Sequence, residues 1–374
     1  MGHLGQKEEL LKALQERLDK NPVGAPPHKA LFGVLEILFT EKEAYVGSRF
    51  PLLPSPFEVI EKAVAPINGD ELSAILKSMS EKGLVIDHER DGKEYFALSM
   101  AMIGFFELTF MRTSETLPMK KLAALMHEYR QNSEFYKDFL GSETNRTRTL
   151  IYESTLPHVT REVLTYEKAS ELIKEAGYGS LTKCYCRHEA QHLGDECKKA
   201  PIDDICMGLG RGSDYLVKHD FARSATVDEL LEVLTNAEEL GLVHISDNIQ
   251  EKPAFICNCC GCHCVLLAGI NEKNIPNAIA PSNYIASPNQ ELCVACGTCV
   301  ENCQINAREL EEKDGSEFAV VNQERCLGCG ICAHVCPEDA MGMTERENVK
   351  EPPKKFKELW QRLILEKGKG KFYI

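Results

Sequence analysis

Apolar positions in the first third of the chain follow first a helical and then a strand-like pattern. Helical spacing predicts three helices, over residues 28–40, 55–65 and 68–83. Ser55 and Asn68 are the predicted N-caps of the second and third helix. Residues 84–99 then alternate apolar and polar side chains around Asp91-Gly92, which is typical of a β-hairpin.

Three helices followed by a hairpin resemble a winged-helix domain, and we expect such a domain, with flanking helices, over 1–140. The resemblance implies that the third helix could read DNA. Residues 66–90, however, carry five acidic and three basic side chains, and binding to phosphates needs lysine and arginine. We therefore expect this domain to dock a protein partner, and we expect no binding to nucleic acid.

The middle of the chain shows two further helical patterns, over 165–177 and 226–241. Thr165 and Gly177 are the predicted caps of the first of them. Both patterns flank cysteine-rich loops, so we predict a helical Cys-rich module over 159–282. Residues 141–158 are polar and contain a proline, and we predict that they link this module to the N-terminal domain.

Net charge and hydropathy indicate the kind of partner and the location of the protein. The chain has 43 Lys and Arg against 57 Asp and Glu, a formal net charge of −14, which favours basic partners. The sequence contains no stretch of about 20 apolar residues, so we predict no membrane span. The opening residues lack the apolar core of a signal peptide, so we expect a cytoplasmic location.

The distribution of cysteines is the most informative feature of the sequence for function. All 17 cysteines lie between Cys184 and Cys336. In a long chain without a predicted signal peptide, metal binding is a better interpretation of such clusters than disulfide bonding.

Two stretches, 293–303 and 326–336, share the spacing C-x2-C-x2-C-x3-C. Three thiolates so spaced wrap a loop around three irons of a [4Fe–4S] cube, and the fourth comes from elsewhere. Zinc sites instead pair two C-x2-C units. Between the motifs, residues 312–317 predict the turn of a hairpin.

The region 283–345 resembles the bacterial two-[4Fe–4S] ferredoxin family, except that Gln304 stands where these proteins often have proline. The resemblance implies an α+β domain with two clusters and one-electron transfer. The implied ligands are Cys293, Cys296, Cys299 and Cys336 for one cluster, and Cys326, Cys329, Cys332 and Cys303 for the other.

Nine cysteines remain, in two groups: Cys184, Cys186, Cys197 and Cys206, then Cys257, Cys259, Cys260, Cys262 and Cys264. They are enough for one or two further [4Fe–4S] clusters, formed either within each group or by mixing the groups. The alternative is zinc on four thiols, assisted by His188, His192 or His263. The side chains of adjacent Cys259 and Cys260 point in different directions, so we expect the thiols of this loop to serve at least two metal sites. Arg187, beside Cys186, is either a cation close to a cluster or a solvated surface residue.

The order of motifs over 160–345 is similar to an uncharacterised group of iron–sulfur proteins from anaerobes, described as 4Fe–4S dicluster proteins. The C-terminal tail, 346–374, has nine basic and four acidic residues and predicts a helix that packs on the core or docks a partner. The predicted architecture is α+β and multidomain.

We expect an electron-transfer subunit of an oxidoreductase complex, which meets its redox partner through the winged-helix-like domain and the tail. One alternative is a redox-sensing winged-helix regulator. The other is a reductase in which a cluster at 257–264 has a free coordination site for substrate.

Overall fold

The computed structural model describes residues 2–156, 165–275, 278–313 and 315–373, with side chains from residue 7 onward. The α-helices of these ranges are α1 (Gly2–Asp19), α2 (Lys29–Leu38), α3 (Glu41–Ser48), α4 (Phe57–Ala63), α5 (Gly69–Glu81), α6 (Phe105–Phe110), α7 (Met119–Arg130), α8 (Ser133–Leu140), α9 (Ala169–Ala176), α10 (Tyr185–His192), α11 (Arg211–Lys218), α12 (Val227–Glu239), α13 (Val265–Asn271), α14 (Thr298–Glu301), α15 (Ile331–His334) and α16 (Phe356–Glu366). The strands are β1 (Ser55–Pro56), β2 (Val85–Arg90), β3 (Lys93–Leu98), β4 (Thr147–Thr149), β5 (Gly179–Thr182), β6 (Cys206–Leu209), β7 (Arg223–Ala225), β8 (Val243–Asp247), β9 (Phe255–Cys259), β10 (Tyr284–Pro288), β11 (Arg308–Lys313), β12 (Ser316–Val321) and β13 (Met341–Glu345).

The N-terminal region combines helices with a three-stranded antiparallel sheet in the order β1-β3-β2. Strands β2 and β3 form the predicted hairpin, and Arg90 pairs with Lys93 across the turn. Asp91 and Gly92 have positive φ angles of 54° and 72°, as a tight two-residue turn requires. The hairpin is confirmed, whereas the winged-helix assignment stays a prediction.

Two details of this region differ from the sequence prediction. Ser55 does not cap α4, because Ser55 and Pro56 pair with β3 as a short strand and the helix begins at Phe57. An additional helix, α3, starts after Thr40, which forms a capping box with Glu43. The pattern T-x-x-E in the sequence was the signal for this helix.

The middle of the chain is built on a sheet, which corrects the prediction of a helical module. Six antiparallel strands lie in the order β4-β8-β9-β6-β5-β7. Helices α9 and α12 form near the predicted positions, although α9 begins at Ala169 rather than after Thr165. The strands escaped prediction because they are short and mostly buried on both faces, so they lack the alternation of a half-exposed strand.

The segment 141–158 also differs from a polar linker. Its residues Thr147–Thr149 form strand β4 and are buried in the sheet. Arg148 is only 2% exposed, and its guanidinium pairs with the buried carboxylate of Glu167. The charge of Arg148 is thus neutralised inside the protein by Glu167. The end of this segment lies outside the described residues, and the division of the chain into domains stays a prediction.

The C-terminal region contains two antiparallel strand pairs, β10–β13 and β11–β12, and the short helices α14 and α15. The pair β11–β12 is the hairpin expected between the two cysteine motifs. Helix α16 packs on the core, because Leu359 and Leu363 are buried against Ile249. Of the two alternatives for the tail, packing is the one observed. In the described part of the chain, no helix has the length and apolar character needed to cross a membrane.

Candidate metal centres

Four cysteines of the C-terminal region line one small cavity, here named the first cysteine cavity. Cys293 and Cys296 lie in the loop before α14, Cys299 lies within α14, and Cys336 follows α15. The cavity therefore gathers three thiols of the first motif and the last thiol of the second. These are the four cysteines that the ferredoxin resemblance assigns to one cluster.

A second cysteine cavity holds the other four thiols: Cys303, Cys326, Cys329 and Cys332. Gly328, on its wall, has φ +69°, and a Cβ there would lie 2.0 Å from the carbonyl oxygen of Tyr284. Only glycine fits this loop, which lets the backbone turn tightly between two of the thiols.

The two cavities differ in their exposure to solvent. Cys296 of the first cavity is exposed, and its neighbours Leu292 and Val294 are 50% and 62% exposed. In the second cavity, Cys326 and Cys332 are buried. The first cavity is thus the more exposed of the two.

Donors of hydrogen bonds point at the sulfurs of both cavities. The amide of Ala319 donates to Cys293 Sγ at 3.4 Å, and that of Ala307 donates to Cys303 Sγ at 3.2 Å. Arg308 Nη2 donates to Cys332 Sγ at 3.0 Å. Burial opposes the charge of this guanidinium, but the neighbouring thiolates of Cys332 and Cys326 outweigh it and raise the pKa of Arg308.

Six of the upstream cysteines form a closed group, here named the thiol ring. Each thiol interacts with two others, and the order around the ring is Cys184, Cys186, Cys264, Cys259, Cys257 and Cys206. Four of the six are buried and two are half-buried. The ring joins the start of α10, strand β6, strand β9 and the start of α13.

The thiols of the ring alternate in acidity. Contacts with neighbouring thiols lower the pKa of Cys257 to about 6 and also lower those of Cys184 and Cys264. The pKa values of the three cysteines between them are raised, by burial for Cys186 and by contacts with neighbouring thiols for Cys206 and Cys259. The lowered pKa values favour the thiolate, the form that binds metals, at three positions of the ring: Cys184, Cys257 and Cys264.

The three remaining cysteines meet a histidine in a separate group, here named the thiol–imidazole group. It consists of Cys197, Cys260, Cys262 and His263, whose ligand atoms all lie within 4.8 Å of one another. Of the three histidines considered from the sequence, His263 is the one in this group. His188 instead lies with Nδ1 2.7 Å from the carbonyl oxygen of Phe110.

The vicinal pair Cys259–Cys260 divides between these two sites, as the divergence of neighbouring side chains predicts. Cys259 belongs to the thiol ring and Cys260 to the thiol–imidazole group. Of the arrangements considered from the sequence, the structure mixes the two groups of cysteines. Cys197 lies apart from the other cysteines of its sequence group and close to Cys260 and Cys262, in the loop after β9.

Arg187 lies buried between the thiol ring and the thiol–imidazole group, so its interpretation as a solvated surface residue is wrong. It is 0% exposed, and it donates to the carbonyl oxygens of Asn258 and Pro201. Burial lowers the pKa of Arg187, but thiolates from both groups, Cys184 first, outweigh this and raise it.

Gln304 connects the thiol-bearing loop to the C-terminal region, a role that the sequence did not reveal. Its Oε1 accepts from the amide of Gly261 at 2.8 Å, and its Nε2 donates to the carbonyl oxygen of Gly241 at 3.0 Å. The only signal in the sequence was the departure from proline at this position. A proline would offer neither side-chain hydrogen bond.

The second cysteine cavity and the thiol ring are neighbours. Val243 lines the second cavity. In the six-stranded sheet the same residue pairs with Cys259 of the ring. One pair of strands therefore brings the two thiol sites together.

A larger cavity, of about 690 Å³, lies between the N-terminal region and the six-stranded sheet. Its wall is mainly apolar and includes Cys206 and Cys257 of the thiol ring, with Glu107 and Arg146. Arg146 Nη1 is buried and has no hydrogen-bond partner. We name this space the interdomain cavity.

The residues present fit iron–sulfur groups. All 17 cysteines are free thiols, and each of the two cysteine cavities offers the four thiols that a [4Fe–4S] cube needs. Arg308 Nε and Nη1 are buried beside these cysteines without a hydrogen-bond partner. Such orphaned donors are costly and would be satisfied by sulfur acceptors of a cluster.

Comparison with known proteins agrees with this geometry in one region. No curated protein matches the chain. Residues 286–343 match the family model described as the 4Fe–4S dicluster domain, and the C-terminal region of the chain is therefore a ferredoxin-type iron–sulfur domain.

Proposed function

We propose that the protein is an electron-transfer component that carries three iron–sulfur centres and relays single electrons to or from an oxidoreductase partner. The observation that carries the proposal is the sorting of cysteines into one group of four, a second group of four, and a ring of six. An iron–sulfur cluster bound at such a group takes up and releases one electron at a time.

In this proposal the first cysteine cavity holds one [4Fe–4S] cluster and the second cavity holds another. Cys336 completes the first set and Cys303 completes the second. The thiol ring holds the third centre. Six thiols exceed the four ligands of a cube, so the ring has room either for a cube with two spare thiols or for a larger cluster.

The surroundings of the thiols would set the reduction potentials. Arg308 and Arg187 are buried cations beside the second cavity and the ring, and positive charge favours the reduced, more negative state of a cluster. The contact between Val243 and Cys259 supports an order in which the ring lies next to the second cavity. The exposed first cavity is then the end that faces a partner.

The surface around the first cavity suits a protein partner. Leu292 and Val294 are exposed apolar residues next to Cys296, and Glu291 and Glu338 are exposed acidic residues nearby. An apolar centre with an acidic border favours a partner that presents a basic rim. The winged-helix-like domain remains a proposed second contact.

The proposed winged-helix domain offers little to nucleic acid. Lys77 of α5 lies 4.0 Å from Glu81, and Lys82, directly after α5, lies 2.8 Å from the buried carboxylate of Glu43. Both lysines that could meet phosphates therefore already have acidic partners. This supports docking of a protein over binding of DNA.

Paired alanine variants test the assignment of ligands. Cys303 and Cys296 belong to the same sequence motif but line different cavities. In protein purified without oxygen, Cys303→Ala should alter the electron paramagnetic resonance signal of the second-cavity cluster, and Cys296→Ala that of the other. If both variants alter the same signal, the ligand sets proposed here are wrong.

A second candidate function is favoured by the interdomain cavity, which reaches Cys206 and Cys257 of the ring. A small molecule bound there would touch the third centre, and the protein would be a reductase rather than a relay. The discriminating experiment is a screen of small organic acids, amides and thiols for a change in the ring's spectrum. Arg146 lies in the cavity wall, and the variant Arg146→Gln should abolish any such change if the small molecule binds in this cavity.

A further inference from the structure

The thiol–imidazole group is placed differently from the other thiol sites, and its sulfurs are closer together. Cys197 Sγ lies 3.9 Å from Cys260 Sγ and 3.8 Å from Cys262 Sγ. Within the described part of the chain, no other set of three or more cysteine, histidine or acidic residues brings its ligand atoms within 4.8 Å of one another.

These sulfur distances are those of a single tetrahedral metal ion. A zinc–sulfur bond is about 2.3 Å long, and the edge of a tetrahedron is about 1.63 times that length, or about 3.8 Å. Thiolates on an iron–sulfur cube bind different irons, so their sulfurs lie farther apart. The spacing of the group therefore matches one ion, not a cluster.

The histidine of the group has no hydrogen-bond partner. The side chain of His263 is only 8% exposed, and both of its ring nitrogens are buried without a hydrogen bond. Asp195 Oδ2 lies 3.3 Å from Nε2 but lacks hydrogen-bond geometry. A buried imidazole with two unused nitrogens needs an explanation. A metal on one nitrogen, with Asp195 orienting the other, provides it.

We propose that Cys197, Cys260, Cys262 and His263 bind one structural zinc ion. The four protein ligands complete a tetrahedron and leave no position for substrate. The ion would tie the loop that follows α10 to the turn that follows β9. Because Cys259 directly precedes Cys260, the same ion would fix one side of the thiol ring.

The sequence explains why the turn can deliver two thiols and an imidazole. Gly261 separates Cys260 from Cys262, and a Cβ on it would lie 2.3 Å from the carbonyl oxygen of Gln304. Its amide donates to Gln304 Oε1 at 2.8 Å. The turn is thus held against the ferredoxin-type domain by Gln304.

The test is the zinc and iron content of the full-length protein, expressed with both metals supplied and purified without oxygen. The proposal expects about one zinc per chain. Cys262→Ala should reduce zinc at least tenfold and leave iron unchanged, because Cys262 is exposed and outside the ring. The control is Cys259→Ala, which changes a cysteine of the thiol ring and should leave the zinc content unchanged.

Three further variants, at His263 and Asp195, guard against a change that merely unfolds the loop. His263→Cys should retain zinc on four thiolates, whereas His263→Ala should lose it. Asp195→Asn should weaken zinc binding roughly 10- to 100-fold. Cobalt in place of zinc should give the intense visible bands of a tetrahedral thiolate site. Wild-type protein without zinc, or a Cys262→Ala variant that loses iron instead, would overturn the proposal.

Discussion

Buried arginines are the residues that distinguish the thiol sites most clearly from inert clusters of cysteine. Arg308 donates to Cys332 Sγ, and Arg187 lies between the thiol ring and the thiol–imidazole group. A buried guanidinium without an anion would be strongly destabilising. Each arginine therefore implies negative charge on the nearby sulfurs, which thiolates bound to metal retain.

Replacement of Arg308 by glutamine should lower the reduction potential of the second-cavity cluster. A hydrogen bond to a charged group is worth about 1.5–3 kcal/mol, which corresponds to roughly 60–130 mV for one electron. A redox titration followed by electron paramagnetic resonance measures the shift, and the first-cavity cluster is the internal control. Equal shifts in the reduction potentials of both clusters would contradict a specific effect of Arg308 on the second-cavity cluster.

Glu107 is a residue whose titration should affect stability. Burial is the main cause that raises its pKa from 4.5 to about 7. The folded protein therefore holds the proton more tightly than the unfolded chain, and the stabilisation present below pH 4.5 is lost as the pH rises through 7. Between pH 6 and 8 the loss should be about 1 kcal/mol.

Urea unfolding of the wild type and of Glu107→Gln, at pH 6 and pH 8, measures this effect. The glutamine variant cannot ionise, so its stability should fall less than that of the wild type between the two values. Lys77→Gln, an exposed change on α5, is a control that should behave as the wild type does. If the wild type and Glu107→Gln change equally with pH, the carboxyl of Glu107 is not protonated in the fold.

At the scale of elements, strand β9 explains how one short stretch serves two sites. Cys257 and Cys259 are two residues apart, so both side chains lie on one face of the strand, toward the ring. Between them, Asn258 is fully buried on the other face, where it contacts Ile205 and His244. The strand ends at Cys259, and the turn then carries Cys260 to the thiol–imidazole group.

Gln304 should stabilise the contact between this turn and the ferredoxin-type domain. Gln304→Ala removes the bond to the Gly261 amide and the two side-chain bonds to the carbonyl oxygens of Gly241 and Asn302. We expect a loss of about 2 kcal/mol in the local free energy of opening. Hydrogen exchange at the Gly261 amide reports the change directly. Gln250→Ala, which removes one bond to the carbonyl oxygen of Pro352, is the control and should leave that amide unaffected.

Some elements were predictable from the sequence and others were not. The hairpin at Asp91-Gly92 has a local signal and forms where it is predicted. The two C-x2-C-x2-C-x3-C motifs also have a local signal, and the cysteines that it groups line two cavities. Strand β4 has no such signal, because its three residues are polar and Arg148 is paired by Glu167, which is distant in the sequence. The grouping of the nine upstream cysteines depends on pairing between strands, which spacing along the chain does not encode.

At the scale of the whole molecule, the thiol sites lie along the junction between the six-stranded sheet and the ferredoxin-type domain. Val243 and Gln304 are contacts across that junction. The N-terminal region covers another side of the sheet, where Tyr215 donates to the carbonyl oxygens of Ser80 and Val85. This packing leaves the first cysteine cavity at the surface, consistent with an end point for electron exchange.

We propose that the upstream cysteines bind a third iron–sulfur centre in addition to the two proposed for the ferredoxin-type domain. The direct measurement is iron, acid-labile sulfide and zinc per chain, on wild-type protein purified without oxygen. We expect about 12 iron or more per chain, with matching sulfide and about one zinc. About 8 iron would leave only two cubes and contradict the proposal that the thiol ring is a redox centre.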